Sequence, residues 1–230
     1  AWFDGRARGG GLGRGVVFLG EHTKAGGLST KKQPLEVWHK KSLPVFFSLP
    51  SFAFHDMAVK AFNSVFYAAH KPGRSIVSYE PFFYPLDRFS QWNRLYGRFG
   101  SVEYQCLIPK KEVQAVQTIL ELISSSRCPT FLNTLKLFGK GNDNLLSFPT
   151  EGYSIGLAFP VRSDLFPLLD SLDGIVMRAG GRLYLAKDAR MPKSVFDAGY
   201  QRAEEFRKYK RRIDPENEFR SLQSMRLGLY

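Results

Sequence analysis

The stretch SVEYQCLIPKKEVQAVQTILELISSS (101–126) contains the two patterns that decide the fold. Residues 102–108 have the β-branched and aromatic character of a strand, and Pro109 ends it. Apolar residues then recur at helical spacing as far as the serine run 124–126, and they are Val113, Val116, Ile119, Leu120 and Ile123. The stretch is therefore predicted to be a β-α unit.

A second unit of the same kind follows. Strands are predicted at 131–138 and 153–159, separated by the turn-rich loop 139–144. The next segment predicts a helix with Ser163 as N-cap and Asp164 in its first turn. Its apolar stripe is Leu165, Leu168, Leu169, Leu172, Ile175 and Val176.

Gly180-Gly181 is expected to end this helix, and residues 182–186 are predicted to form a fourth strand. The order β-α-β-β-α-β predicts an α+β protein with a ferredoxin-like antiparallel sheet and its helices on one face.

The flanking segments give weaker patterns. Residues 1–22 predict one or two strands around a glycine-rich turn, and residues 55–70 predict a helix. A further helix is predicted at 85–100, and a basic helix near 193–212.

Length and composition limit the class of protein. The chain has 230 residues, 43% of them hydrophobic, which is enough for a sizeable core. No apolar run reaches the roughly 18 residues of a membrane-spanning helix. Only two cysteines occur, Cys106 and Cys128, so a reducing, cytoplasmic location is expected. Because Ala1 opens an apolar run without Met, the chain is interpreted as the back portion of a longer protein.

Positive charge is concentrated in two segments. The net charge is +12, and residues 1–60 and 187–212 each hold nine basic and four acidic residues. Such segments suit phosphate groups, nucleic acid or an anionic membrane, although a solvated basic face is an equally simple interpretation. One alternative function is therefore a non-enzymatic basic module that binds nucleic acid. On the third strand, however, only Gly152 and Tyr153 match the RNA-stacking consensus, so nucleic acid is not the expected partner.

Few residues suggest chemistry by themselves. The four histidines are scattered and have no cysteine nearby, so no metal site is expected. Lys136 and Lys187 lie in or beside apolar strands. Each could face water, or could point into a cleft and hold an anion there.

Four strings do resemble a known family: FYPLDRFSQWNRLYG (83–97), TLKLFGKGN (134–142), GGRLYLAKDAR (180–190) and IDPENEFRS (213–221). They are similar to the C-terminal half of the vanillyl-alcohol-oxidase-type FAD-linked oxidases. The resemblance implies a substrate (cap) domain at 1–182 and, at 183–230, a segment that returns to an FAD-binding domain outside this chain. It also implies that these 230 residues alone are inactive.

The resemblance assigns roles to single residues. Lys187 matches a catalytic lysine beside flavin and substrate, and Tyr184 and Ala186 join it in binding FAD. Residues that match the substrate-binding positions are Phe83, Tyr104, Gln105 and Lys136. The chain departs from the family at three positions: Glu103 replaces a usual Gln, Ser154 an Asn, and Gly156 the Cys of mycobacterial members.

The implied activity is oxidation of a sugar hydroxyl by FAD. The substrate would be a polyprenyl-phosphate-linked pentose, with a partner reductase completing an epimerisation, or else a free aldonolactone. A lipid-linked substrate implies peripheral contact with the inner face of the membrane. The aromatic, lysine-flanked segment at about 40–72 is the expected mobile contact, and ordinary packing inside the domain is its alternative.

Overall fold

The α+β class that the sequence predicts is the class of the computed structural model, which describes residues 1–24, 42–48, 50, 54–130 and 132–230. The strands in these parts are β1 (Trp2–Phe3), β2 (Gly15–Val16), β3 (Leu43–Pro44), β4 (Phe89–Ser90), β5 (Ser101–Pro109), β6 (Asn133–Phe138), β7 (Gly152–Pro160) and β8 (Arg182–Leu183). The α-helices are α1 (Asp56–Ala69), α2 (Tyr79–Phe83), α3 (Val113–Ser125), α4 (Leu165–Arg178), α5 (Lys193–Gly199), α6 (Ala203–Ile213) and α7 (Leu222–Leu227). Short 3₁₀ segments lie at Gly9–Gly11, Trp92–Phe99 and Leu185–Lys187.

The main sheet has the predicted ferredoxin-like order. Strand β5 pairs along its whole length with β7, β7 pairs with β6, and β8 lies on the other edge of β5. All of these pairs are antiparallel, and the hairpin of β1 and β2 extends the sheet beyond β6. The predicted N-terminal strands are thus confirmed. Gly15 permits their close approach, since a Cβ there would lie 2.4 Å from the Trp2 carbonyl oxygen.

Strand alternation gives the sheet two different faces. Alternate residues of β5 and β7 are buried in one hydrophobic core with α3 and α4, and they are Tyr104, Cys106, Ile108, Ile155, Leu157 and Phe159. Each large side chain buried there contributes about 1.5–3 kcal/mol to folding. The intervening positions, which include Gln105 and Ser154, lie on the face away from these helices.

The C-terminal helices pack into the same core. Phe196, Tyr200 and Leu227 are buried with the side chains of α4 and β8. The Tyr200 hydroxyl donates a 2.6 Å hydrogen bond to the Leu183 carbonyl oxygen. The sequence-based boundary between residues 182 and 183 remains a prediction, but one core contains residues from both sides of it.

The fourth strand is shorter than predicted. Pairing with β5 ends at Leu183, and residues 185–187 form a 3₁₀ turn instead of strand. The Tyr184 amide still donates to the Gln105 carbonyl oxygen at 2.8 Å, after which the Lys187 amide turns back to Tyr184. Ala186 and Lys187 therefore lie on a turn at the edge of the sheet.

Three helix predictions also need correction. No continuous helix covers 85–100, because Gly97 has a positive φ of 67° inside the 3₁₀ segment. The basic helix near 193–212 is divided into α5 and α6 around Tyr200. The cap of α4 is Asp164 rather than Ser163, and its side chain makes no capping hydrogen bond. The helix predicted at 55–70 is confirmed as α1.

A buried arginine fastens the N-terminal hairpin to two helices. Arg6 donates to the Ile123 and Ser126 carbonyl oxygens at 3.2 and 2.9 Å, where α3 ends. Its guanidinium also forms an ion pair with Asp56 at the start of α1. Within the predicted mobile segment 40–72, α1 is held in addition by a 2.6 Å hydrogen bond from Asn63 to Asp4. Residues 40–41, 49 and 51–53 of that segment lie outside the described residues.

We expect Arg6→Met to lower the free energy of unfolding by about 2–4 kcal/mol. The substitution leaves the carbonyl groups at the end of α3 without a donor and removes the buried partner of Asp56. Lys60→Met is the matched control. Lys60 pairs with the same Asp56 at 2.7 Å, but half of its side chain is exposed, so the loss should be below about 1 kcal/mol. Urea denaturation measures both values, and equal losses would contradict the structural role of Arg6.

Candidate functional site

The face of the sheet away from α3 and α4 collects polar side chains from three strands. In the β5–β7–β6 register, Gln105 lies opposite Gly156, and Gly156 lies opposite Thr134. One row further along, Ser154 lies opposite Lys136. We call this surface the polar face, and its residues are Glu103, Gln105, Thr134, Lys136, Ser154 and Gly156.

Hydrogen-bonding groups line the middle of the polar face. The Gln105 side-chain amide donates to the Ser154 hydroxyl at 2.9 Å. A Cβ at Gly156 would lie 2.7 Å from the Thr134 hydroxyl and 4.0 Å from the Gln105 side chain. Glycine at position 156 thus lets the Thr134 hydroxyl lie close to the sheet backbone beside Gln105, and these two polar groups suit a polyhydroxylated ligand.

Lys187 reaches the end of the polar face from its turn beside β8. Its ammonium lies 2.5 Å from a Glu103 carboxylate oxygen, and both side chains are partly exposed. The ring of Tyr184 stacks on Phe148 with centroids 4.5 Å apart. Glu103, Gln105, Tyr184 and Lys187 line one cleft of about 20 Å³, so a ligand larger than water must lie on the open face.

The resemblance to the oxidases also named residues whose side chains are not on the polar face. Tyr104 lines the same cleft, but its side chain points into the core, where its hydroxyl donates to Asp173 of α4 at 3.1 Å. Burial together with Asp173 holds the pKa of Tyr104 well above its usual value. Phe83 ends α2 and contacts its neighbours Phe82 and Tyr84. Ala186 is exposed on the turn of Lys187. The structure therefore brings together Gln105, Tyr184 and Lys187, with Lys136 on the same face.

Sequence reasoning missed Asp188, the residue that fixes the Lys187 turn. One carboxylate oxygen accepts from the backbone amides of Arg190 and Met191, at 2.9 and 2.6 Å. The other accepts from Gln223 and Arg226 of α7, at 3.2 and 2.8 Å. Gln223 also donates to the Leu185 carbonyl oxygen at 2.7 Å. The only signal in the sequence was the acidic residue directly after Lys187. Nothing in the sequence indicated that Gln223 and Arg226 would be its partners.

Two buried carboxylates near the site have opposite pKa shifts. Burial raises the pKa of Asp188, but hydrogen bonds from Arg226 and nearby donors outweigh it and leave that pKa below its ordinary 3.8. Burial also raises the pKa of Asp173, and there Arg190 and Tyr104 offset only part of the effect. Asp188 thus stabilises the fold as a carboxylate, whereas ionisation of Asp173 is disfavoured.

Most basic residues of the C-terminal segment already have acidic partners. Seven of the nine in 187–212 form ion pairs, and they are Lys187, Arg190, Lys193, Arg202, Arg207, Lys210 and Arg211. In the first segment, Arg6, Arg14 and Lys60 are likewise paired. The positive charge of residues 187–212 is therefore largely compensated by nearby acidic residues, which disfavours a nucleic-acid surface in that segment.

The described ranges contain neither a membrane-spanning helix nor a metal-binding cluster of side chains. No helix in them is long and apolar enough to cross a membrane. Within the same ranges, no cluster of three or more His, Cys, Asp or Glu side chains could hold a metal ion.

Comparison with known proteins shows similarity to an oxidase, as the sequence motifs predicted. The relative is decaprenylphosphoryl-beta-D-ribose oxidase of Mycolicibacterium smegmatis, 35% identical over 236 aligned residues. The alignment covers 100% of this chain and 50% of that relative. An uncharacterized protein in the mprA 5′ region of Streptomyces coelicolor is 36% identical over 131 residues, 56% of this chain and 36% of its own length. The chain thus spans half or less of the curated relatives it matches, and no family model matches it.

Asp188→Asn should destabilise the protein by about 2 kcal/mol at pH 7, because its NH2 group places a donor against two of the four groups that donate to Asp188. The lowered pKa of Asp188 means that its contribution exists above about pH 4 and disappears as the pH falls through the folded-state pKa. The difference in the free energy of unfolding between wild type and Asp188→Asn should therefore become smaller at acidic pH. Urea denaturation between pH 3 and 7 measures it.

Asp173→Asn is the matched control for that prediction. An Asn oxygen can still accept from Tyr104, and Arg190 keeps its 2.9 Å contact with Asp170. Because the raised pKa of Asp173 makes its charge a cost at neutral pH, the loss should stay below about 1 kcal/mol. A larger loss in Asp173→Asn than in Asp188→Asn at pH 7 would contradict the roles assigned to the two carboxylates.

Proposed function

We propose that this chain is the substrate-covering part of an FAD-dependent oxidoreductase that oxidises a hydroxyl of a polyprenyl-phosphate-linked pentose. The observation that carries the proposal is the position of Lys187 and Gln105 beside one cleft at the end of the polar face. The resemblance assigns the first residue to flavin and substrate and the second to the substrate. The similarity over the whole chain to an oxidase of a lipid-linked ribose supports the same substrate class and favours it over a free aldonolactone.

The residues at this end of the face fit a flavin. The Lys187 ammonium can stabilise negative charge on a reduced isoalloxazine, and the partly buried Tyr184 offers a hydroxyl and an aromatic edge beside it. The exposed backbone around Ala186 leaves room for contact. When bound, FAD supplies the acceptor for the hydride that leaves the alcohol carbon.

The remaining polar residues hold the sugar. Gln105 and Thr134 can donate to and accept from ring hydroxyls, and the buried Ser154 holds the Gln105 side chain in fixed geometry. Because position 156 has no side chain, the Thr134 hydroxyl can lie close to the sheet backbone beside Gln105. Covering of this face by a flavin-binding domain would exclude water from the reacting carbon.

Lys187→Met should lower kcat by roughly 100-fold or more in the full-length protein, since it removes a cation that stabilises charge in the transition state. Lys110→Met is the control, because Lys110 pairs with Glu151 at 3.0 Å at the far end of β5. The assay follows bleaching of the flavin bands by the lipid-linked substrate. A colourless full-length protein that binds RNA tightly would reject the proposal and favour the non-enzymatic alternative. Residues 1–230 alone should show no turnover.

We also propose that an exposed aromatic surface contacts the membrane. Phe18 packs edge-on against His70 at 5.6 Å, and His70 packs on Phe66 of α1 at 4.2 Å. Phe46 and Phe47 are 80% and 63% exposed. Exposed Lys71 and Arg74 closely follow His70 in the chain, and the backbone of exposed Arg88 bonds to Leu43, three residues before Phe46. Apolar rings beside cations suit an anionic lipid surface, where a polyprenyl tail would remain.

This contact would place the enzyme on the cytoplasmic face of the membrane, and a partner reductase that completes an epimerisation belongs to the same proposal. Lys40 and Lys41, which the sequence also placed beside the aromatic segment, lie outside the described residues.

The double variant Lys71→Ala/Arg74→Ala should weaken binding of the full-length protein to anionic vesicles by more than about tenfold, since each basic residue near the surface contributes about 1 kcal/mol. Lys110→Ala/Lys111→Ala removes the same charge from the end of β5 and should have little effect. Flotation with anionic and neutral liposomes measures binding. Equal effects of both double variants, or no binding by wild type, would reject membrane contact through this surface.

A further inference from the structure

The two lysines of the site are not equivalent. The Lys187 ammonium is 2.5 Å from the Glu103 carboxylate, so this corner of the polar face carries a cation and an anion together. Lys136 is exposed, and in the described part of the chain it forms no ion pair.

An anion would meet different potentials at the two lysines. Two unit charges 4 Å apart interact by about 1 kcal/mol in water and about 4 kcal/mol at an effective dielectric constant of 20. Beside Lys187, the longer-range attraction of the ammonium for a phosphate is opposed by repulsion of similar size from Glu103, although the ammonium can still donate a short-range hydrogen bond to the flavin. No such opposing charge accompanies Lys136, so its attraction for an anion is not reduced.

Neutral polar groups connect the Lys187 end of the polar face with its Lys136 end. From Glu103 the face continues through Gln105, whose side chain is bonded to Ser154, and Ser154 lies opposite Lys136. Four residues along β5 and two strand spacings separate the backbones of Glu103 and Lys136 by roughly 16–17 Å. Two lysine side chains and one sugar phosphate between them are together long enough to span this gap.

We propose that Glu103 orients the ligand by neutralising Lys187, so that Lys136 binds the anionic group and the Lys187 corner receives a neutral hydroxyl. The inference rests on the proposed function and specifies how a phosphorylated pentose lies on the polar face. Its phosphate lies at β6, and the hydroxyl to be oxidised lies beside the turn of Lys187. Glu103 is a positioning residue, since it acts on the ligand through the charge of Lys187.

Ribose 5-phosphate is a lipid-free probe of this arrangement, and calorimetric titration of the full-length protein measures its affinity. Lys136→Met should weaken binding by about tenfold or more and reduce its dependence on salt. Lys187→Met should change affinity by less than about twofold. Lys110→Met, which removes an exposed lysine already paired with Glu151, should change nothing.

The decisive variant is Glu103→Gln, which leaves Lys187 charged and uncompensated. It should strengthen binding of ribose 5-phosphate, and in this background Lys187→Met should weaken binding by about as much as Lys136→Met does. Glu103→Asp should behave as wild type, because it keeps the negative charge. Thermal denaturation confirms that each variant is folded.

Equal losses from Lys136→Met and Lys187→Met in the wild-type background would overturn the inference, and so would a wild-type protein that does not bind the probe. The visible spectrum of the same preparations tests the proposed function separately. A colourless protein with the expected affinity pattern rejects the oxidoreductase and keeps the orienting role of Glu103. A flavoprotein without the pattern keeps the oxidoreductase and rejects that role.

Discussion

The nine-residue antiparallel pairing of β5 with β7 is the constraint on which the rest of the structure depends. Its register assigns Tyr104 and Ile155 to the helix-covered side, and Gln105 and Gly156 to the other. A slip of one residue would exchange these sets, and would bury the polar groups while exposing the core. Core packing and the placement of the polar face thus depend on the same hydrogen bonds, because one side of the ladder is core and the other is the polar face.

Sequence patterns predicted this arrangement where apolar periodicity was strong. The α+β class, the strand order and α3 all followed from residues 101–187. The patterns failed where tertiary contacts decide the backbone, as at Leu185–Lys187, which hydrogen bonds from α7 hold in a turn. Among site residues, alternation on β5 alone would have separated Tyr104 from Gln105. The partners of Asp188 lie 35 and 38 residues away, beyond any local pattern.

Charge composition was also a poor guide to the surface. The two basic segments suggested an extended positive field, yet their guanidinium groups mainly connect elements of the fold. Arg6 joins the N-terminal hairpin to α1 and α3, and Arg190 joins the loop after Lys187 to Asp173 of α4. Arginine suits this task because its planar fork satisfies several acceptors at once. The net charge of +12 is therefore a poor guide to the local charge that a ligand meets at the surface.

The dependence of Asp188 on α7 also affects how the protein is made. Chains emerge from the ribosome N-terminus first, and domains begin to fold as they appear. The sheet and helices up to α4 can form before Gln223 and Arg226, which lie 35 and 38 residues after Asp188, have been synthesised. The turn of Lys187 thus remains unbraced until α7 has emerged. A nascent chain can therefore hold a folded sheet before the turn at the edge of that sheet is fixed.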